Sequence, residues 1–362
     1  MTERPLRILH VVDHVRNVGN GLVNVAVDLA CAQQAAGHRV AIASGGGDYE
    51  PLLAAHGVAH HRLVRHDSRI GRARLVARLG AIVASVRPEI VNAHRPYATV
   101  AAAFLRPLGR FKLIATDHNE FEAKGRYLRS ADRIIAVSDG AAEALIATGI
   151  PRSQIRVVQN GPLLGARAGL TQSTGTAELH HPAIVTVAGL VERKGVHVLM
   201  QAFEAIADAH PQAHLYFVGD GPERDALERR RQAGRAGDRI HLEGFQSDPG
   251  RYLRAAEIFV LASFRDPFPL AALEARGAGA VVVASDVDGL PEAVDHGQAG
   301  LLVAPGDVEG LSRALESLLA DPQELARLRE RSLTGIDRFS AARMANDTDA
   351  VYREALLAST NP

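Results

Sequence analysis

Short apolar runs alternate with helix-length stretches from one end of this chain to the other, and few architectures satisfy that pattern. Runs rich in Val, Ile, Leu and Ala, bounded by turn residues, read as strands buried on both faces. They fall at 8–12, 39–44, 90–94, 113–116, 133–137 and 156–158 in the first half, and at 183–187, 214–218, 258–261, 281–284 and 300–303 in the second. Strand, helix, strand in succession predicts parallel pairing with helices on both faces of each sheet. Between the two series, the stretch 165–175 lacks periodicity and is rich in small residues, so it reads as a linker. The expectation is an α/β protein of two Rossmann-like, doubly wound parallel-sheet domains facing a cleft. Residues 1–165 form an N-terminal domain, 166–181 a linker, 182–340 a C-terminal domain, and 341–362 a closing helix packed back toward the first domain. Ligands of such sheets bind beyond the C-terminal ends of the strands.

At 362 residues the chain can build two full cores. No apolar run approaches the ~20 residues of a membrane span, and the first residues lack a basic-then-apolar signal segment, so a cytoplasmic location is expected. The single cysteine, Cys31, excludes an internal disulfide and reads as a small core residue. Net charge is zero but uneven: residues 1–165 carry 21 Lys+Arg against 13 Asp+Glu, and the remainder carries 20 against 28. The excess is densest over 62–87, where Arg65, Arg69, Arg72, Arg74 and Arg78 surround Leu75, Val76 and Leu79 in a basic amphipathic helix. That bias predicts an anionic partner for the first half, either a lipid-linked or phosphorylated acceptor or peripheral contact with an anionic membrane. Nucleic acid is not expected, because no aromatics are interleaved with the basic residues.

The segment 264–280 carries the most specific chemical signal. Pro267 and Pro269 forbid a helix through its first half, so Asp266 belongs to a loop at the edge of the preceding strand. Pro269 suits a first helical position, and Leu270, Leu273 and the nearby alanines continue the helix, placing Glu274 one to two turns inside it. The free N–H groups and positive dipole end of such a helix suit a phosphate, and a carboxylate can accept both hydroxyls of a ribose. This is the pattern of a nucleotide-sugar site. Lys194 sits on the turn after the strand at 183–187 and is one of only three lysines against 38 arginines. Its compact ammonium suits a diphosphate. In the first half, the loop Val18-Gly-Asn-Gly21 precedes a helix and can approach a phosphate, although Asn24 stands where a dinucleotide fingerprint needs a third glycine. His94 and His118 each close a strand.

These stretches, in this order, resemble the family 4 glycosyltransferases of the GT-B fold along nearly the whole chain. The matching motifs are Ala188-Gly-Leu-Val-Glu-Arg-Lys-Gly195, Val218-Gly-Asp-Gly-Pro222, the segment 264–280, Gly289-Leu-Pro-Glu292 and 300–306, with Val137-Ser138 and Gln159-Asn-Gly161 as weaker matches. The resemblance implies that Glu274 binds the nucleotide ribose, that Asp266 faces the donor sugar, that Lys194 binds phosphate, that His118 touches the sugar near the reacting carbon, and that Gly21 lies by the diphosphate. Arg193, Phe245, Phe268, Pro269 and Leu270 complete the expected donor-binding set, with His118, Asp266 and Lys194 as its catalytic members. Asn20 and His94 are the expected acceptor-side residues. Four positions depart from the family pattern. Its first acid is Asp266, one methylene shorter than glutamate; Gly189 replaces an arginine five residues before the lysine. Asn20-Gly21 replaces a glycine pair, with Val23 where a glutamate is frequent, and Asn92 stands where His94 usually has a histidine partner.

The implied reaction is transfer of a sugar from a nucleoside-diphosphate sugar to an acceptor hydroxyl, with retention of configuration, in glycan, capsule or cell-wall polysaccharide assembly. The nucleotide sugar is the donor substrate, and neither cofactor nor metal is expected. Two other readings share the fold: a nucleotide-sugar epimerase, and a non-catalytic nucleotide-sugar-binding protein. The triplets Asp286-Val-Asp288 and Asp347-Thr-Asp349 raise a metal-dependent transferase as a further alternative.

Overall fold

The computed structural model describes residues 4–63, 68–118, 125–169 and 175–358. The chain divides into two compact units, residues 1–170 with 339–362, and residues 171–338.

The first unit runs β1 (Arg7–Val11), α1 (Gly21–Ala35), β2 (Arg39–Ser44), α2 (Glu50–Ala55), β3 (Ala59–Arg62) and α3 (Arg69–Val86). It continues through β4 (Ile90–Ala93), α4 (Pro96–Phe104), β5 (Lys112–Asp117), β6 (Arg133–Ala136), α5 (Asp139–Ala147) and β7 (Ile155–Val157). Its seven strands are all parallel, in the order β3-β2-β1-β4-β5-β6-β7. Strand order therefore reverses between β1 and β4, where Leu9 pairs with Val91.

The second unit runs β8 (Ala183–Val187), α6 (Val196–Ile206), β9 (His214–Val218), α7 (Arg224–Ala233), β10 (Ile240–Gly244), α8 (Gly250–Ala255) and β11 (Ile258–Leu261). It ends with α9 (Leu270–Gly277), β12 (Val281–Ser285), α10 (Leu290–Ala293), β13 (Leu301–Val303), α11 (Val308–Ala320) and α12 (Pro322–Leu333). Its six parallel strands lie in the order β10-β9-β8-β11-β12-β13, reversing between β8 and β11. Ile184, Val260 and Val281 of the sheet are sealed by Phe203 and Leu199 of α6 and by Leu311 and Leu315 of α11.

A closing helix, α13 (Ala341–Leu357), belongs to the first unit. Ser340 caps it by accepting from the Arg343 N–H. Met344, Val351, Tyr352 and Ala355 are buried on it, and Glu354 is clamped by Arg133 at 3.0 Å and by Arg156 at 2.7 Å.

Two strands escape the apolar-run criterion, and both are sheet edges. β3 is Ala-His-His-Arg and β10 is Ile-His-Leu-Glu-Gly, with most of their residues half-buried or exposed. An edge strand buries less side chain, so its composition carries less of the apolar signal. The start of the expected linker is ordered: Arg167 donates through its backbone N–H and Nε to the buried carboxylate of Asp28, at 3.0 and 2.8 Å. The basic helix forms as α3, while Arg65 lies outside the described residues. Among the described residues no helix is long and apolar enough to cross a membrane.

Candidate active site

In the second unit, the loops after β8 and β11 meet at the point where strand order reverses, the place where open α/β sheets bind ligands. The β8 loop turns through a short 3-10 helix, Glu192–Lys194, into Gly195 and α6. Gly195 has φ +61°, and a Cβ there would lie 1.8 Å from the carbonyl oxygen of Ala262, just beyond β11. Only glycine permits that approach. The two loops are joined further by the Phe264 N–H, which donates to the Arg193 carbonyl at 2.8 Å. Gly219 and Gly221 bring the β9 loop in by the same means, since a Cβ on either would lie 1.9 or 2.4 Å from the carbonyl oxygens of Ala188 and Leu190.

This backbone holds the Lys194 ammonium against the Asp266 carboxylate in a direct ion pair. Asp266 is buried, with a relative exposure of 4%, and the Lys194 side chain keeps 15%. Asp266 is itself fixed from both sides: its N–H donates to Asp288 Oδ2 at 2.8 Å, and its carbonyl accepts from the Gly289 N–H at 3.1 Å. Arg265 closes the clip on Asp288 at 2.9 Å. α9 begins shortly after, with Pro269 as an extended N-cap, no side chain capping it and no acid in its first turn. Its leading N–H groups and dipole are thus left for an anion. Glu274 is half-buried one turn in, and helical Cα–Cβ bonds lean toward the N-terminus, which tilts its carboxylate to the same end. The far end of α9 is pinned by Arg276, fully buried, which donates to Ser332 O at 2.9 Å and pairs with Asp295 at 3.1 Å. Burial and the nearby Arg338 lower this guanidinium to about 10, so it stays charged at neutral pH.

In the first unit, His94 follows β4 and His118 follows β5, and they are joined. His94 Nδ1 lies 2.8 Å from His118 Nε2, and His94 Nε2 lies 3.0 Å from Nδ1 of His10, a residue of β1. His10 Nε2 meets Gln33 Oε1 on α1 at 2.8 Å; Gln33 Nε2 donates to Asp349 Oδ1 on α13 at 2.7 Å. Asp349 Oδ2 meets His38 Nε2 at 2.6 Å, and His38 Nδ1 accepts from the Leu6 N–H at 3.0 Å. Burial lowers His10 to about 4, His118 to about 3 and His94 well below its ordinary value, so all three rings are neutral at physiological pH. His118 alone reaches the surface, half-buried. Asn92 sits beside this chain, accepting from Thr116 at 2.8 Å and donating to the Tyr352 hydroxyl at 2.8 Å.

The arrangement sorts the expected residues. Lys194, Asp266, Glu274, Arg193 and the buried Phe268 and Pro269, with Leu270, gather on the β8 and β11 loops and the start of α9. Arg193 is exposed and donates to the Arg265 carbonyl at 3.3 Å. Phe245 is exposed just past β10. Asn20 is the N-cap of α1, accepting from the Leu22 N–H at 3.2 Å, and Gly21 is the exposed first residue of that helix. His94 departs from expectation: it is 2% exposed with both ring nitrogens engaged, so it has no atom left to offer an acceptor. Its partners are His10 and His118, and Asn92 holds Tyr352 instead. In the two Asp-x-Asp triplets, Asp288 and Asp349 are each committed on both oxygens. Among the described residues no cluster of three or more His, Cys, Asp or Glu is arranged to hold a metal. The sequence singled out neither His10 nor Gln33, and Asp349 only as part of an Asp-x-Asp triplet, because polar residues inside a strand or helix interior give no local signal of their partners. Cys31 is a buried thiol pushed up to about 12 by its surroundings, as a core residue should be.

The chain belongs to the glycosyltransferases of family 4 type. Residues 175–333 match the family described as glycosyl transferases group 1, and residues 19–162 match glycosyltransferase family 4. The relatives are sugar transferases. The chain is 31% identical over 306 residues to a glycogen synthase of Mycobacterium tuberculosis, covering 77% of this chain and 72% of that protein. It is 29% identical over 245 residues to the lipopolysaccharide core biosynthesis glycosyltransferase LpsE of Rhizobium meliloti, covering 68% and 69%. The fold is that of the GT-B transferases: HepE of Anabaena, solved in complex with UDP-glucose, superposes with a TM-score of 0.79 at 21% identity, over 96% of this chain and 100% of that one.

Proposed function

We infer that this glycosyltransferase takes its sugar from a nucleoside diphosphate, with UDP-glucose the first donor to test, and passes it to an acceptor hydroxyl with retention and without a divalent metal. The observation that carries the reading is the Lys194 ammonium, fixed by Asp266 where the β8 and β11 loops meet, ahead of a helix start that no side chain caps. As the bond from sugar to phosphate breaks, negative charge grows on the departing diphosphate. A preorganised ammonium and aimed N–H groups stabilise that charge by several kcal/mol, the role a metal fills elsewhere. Glu274 accepts the ribose hydroxyls, and His118 contacts the sugar. The departing phosphate oxygen takes the acceptor's proton from the same face, so configuration is kept. Asp266 orients Lys194 and supports the sugar electrostatically. A relative named for lipopolysaccharide core biosynthesis, with the basic bias of the first half, supports a lipid-linked or phosphorylated acceptor as the reading for this chain. The exposed Phe104 at the end of α4, a helix that packs on α3, and the exposed Arg72, Arg74 and Arg78 of α3 suit peripheral contact with an anionic bilayer.

Titration calorimetry with UDP, GDP and ADP sugars, followed by transfer assays with and without EDTA, tests this. Glu274→Ala and Lys194→Ala should each weaken nucleotide binding at least tenfold, and EDTA should leave the rate unchanged. Activity abolished by EDTA and restored by Mn²⁺ would refute the metal-free mechanism. Unchanged nucleotide affinity in both variants would refute the site.

A further inference from the structure

We propose that Asp349, Gln33, His10 and His94 are positioning residues that fix the tautomer of His118, so that its Nδ1 offers a lone pair rather than an N–H to a hydroxyl of the donor sugar.

The argument is one of hydrogen-bond polarity. The Leu6 N–H donates to His38 Nδ1, so His38 carries its proton on Nε2, which points at Asp349 Oδ2. Asp349 is an acceptor on that side, and its other oxygen takes the Gln33 amide N–H. Gln33 therefore turns Oε1, an acceptor, toward His10 Nε2, which must carry that ring's single proton. His10 Nδ1 is then an acceptor and takes the N–H from His94 Nε2. His94 Nδ1 is in turn an acceptor and takes the N–H from His118 Nε2. The last ring is left with an unprotonated Nδ1, for which no hydrogen bond is found among the described residues.

Two observations reinforce this order. Burial keeps His10, His94 and His118 neutral, so each of these rings has one proton to place. The Arg95 guanidinium near His118 disfavours a second proton there, and Asp13 holds that arginine in place at 2.9 Å. The chain also reverses as a unit. If the α13 end offered an N–H in place of a carboxylate oxygen, Gln33 would flip, each proton would move to the opposite nitrogen, and His118 would present Nδ1–H.

Asp349→Asn makes that exchange at almost constant volume. Its carbonyl oxygen still accepts from His38, and its amide N–H now faces Gln33. Long-range ¹H–¹⁵N correlation spectra of the full chain report which nitrogen of His118 is protonated, with His118→Asn supplying the assignment. The wild type should give a protonated Nε2 and a pyridine-type Nδ1; Asp349→Asn should give the opposite. Gln33→Met, which removes the link without adding a polar group, should leave His118 as a mixture of both tautomers. Nδ1–H in the wild type, or an unchanged His118 in both variants, overturns the proposal. The inference rests on the reading that His118 meets the donor sugar, and a second arm tests that part with UDP and UDP-glucose. UDP should bind the wild type and Asp349→Asn within a factor of two, while kcat/KM for UDP-glucose falls about tenfold, a single hydrogen bond's worth. A swapped tautomer with unchanged kcat/KM would refute the claim that transfer needs a lone pair at His118 Nδ1, while leaving the relay itself established, because a sugar hydroxyl can turn to accept from an N–H.

Discussion

Gly195→Ala probes the joint on which the second unit's site depends. The new Cβ would start 1.8 Å from the Ala262 carbonyl oxygen, and ordinary contact begins near 3.4 Å, so the β8 and β11 loops must separate by roughly 1.6 Å. The residue would also occupy φ +61°, which costs a side-chain-bearing residue about 1–2 kcal/mol. The adjacent Lys194 must move with the turn, and a shift near 1 Å in a positioning group costs about a hundredfold in rate. The expected result is a hundredfold fall in kcat for sugar transfer and weaker UDP binding by calorimetry, with the apparent Tm lower by several degrees. Gly189→Ala is the control from the same loop, because its nearest neighbour to a Cβ is 3.9 Å away and its φ is not positive. It should leave stability within about 0.5 kcal/mol of wild type. A Gly195→Ala protein with wild-type kcat and Tm would refute the claim that this contact positions the lysine.

Gly189→Arg, whose Cβ would meet nothing closer than 3.9 Å, should add a guanidinium to the Lys194 loop and tighten UDP binding about tenfold, measured by calorimetry at fixed ionic strength. Arg276→Met should destabilise the second unit by about 3–5 kcal/mol in urea unfolding, because Ser332 O and Asp295 lose a fully buried partner. Stability should also fall on mild acidification. His10 ionises near 6.5 when unfolded but near 4 when folded, so below pH 6.5 the unfolded chain takes up a proton that the folded one refuses. At pH 5 this costs about 2 kcal/mol. Denaturant melts at pH 7.5 and pH 5 should therefore show a smaller loss for His10→Gln than for wild type.

The sequence revealed most of the architecture because parallel strands buried on both faces leave unbroken apolar runs. It failed at β3 and β10, where an edge position removes that requirement. The placement of Lys194, Asp266 and Glu274 was equally legible, because they sit on motifs whose prolines and glycines dictate local backbone shape. The histidine chain was not. Its members come from β1, α1, α13 and the ends of β4 and β5, and their connection exists only after those elements pack. His94 illustrates the difference, since its place at a strand end was readable while its complete enclosure was not.

The residence of α13 in the first unit has a consequence for biosynthesis. A ribosome finishes every strand of the seven-stranded sheet long before it delivers the helix that covers α1. Until then Gln33 and His38 lack the carboxylate that neutralises their buried donors, and the face awaiting Met344 and Tyr352 stays wet. The unit whose strands are made early is thus the one whose maturation waits for residues 341–357, and removing that helix would injure a sheet formed roughly two hundred residues upstream of it.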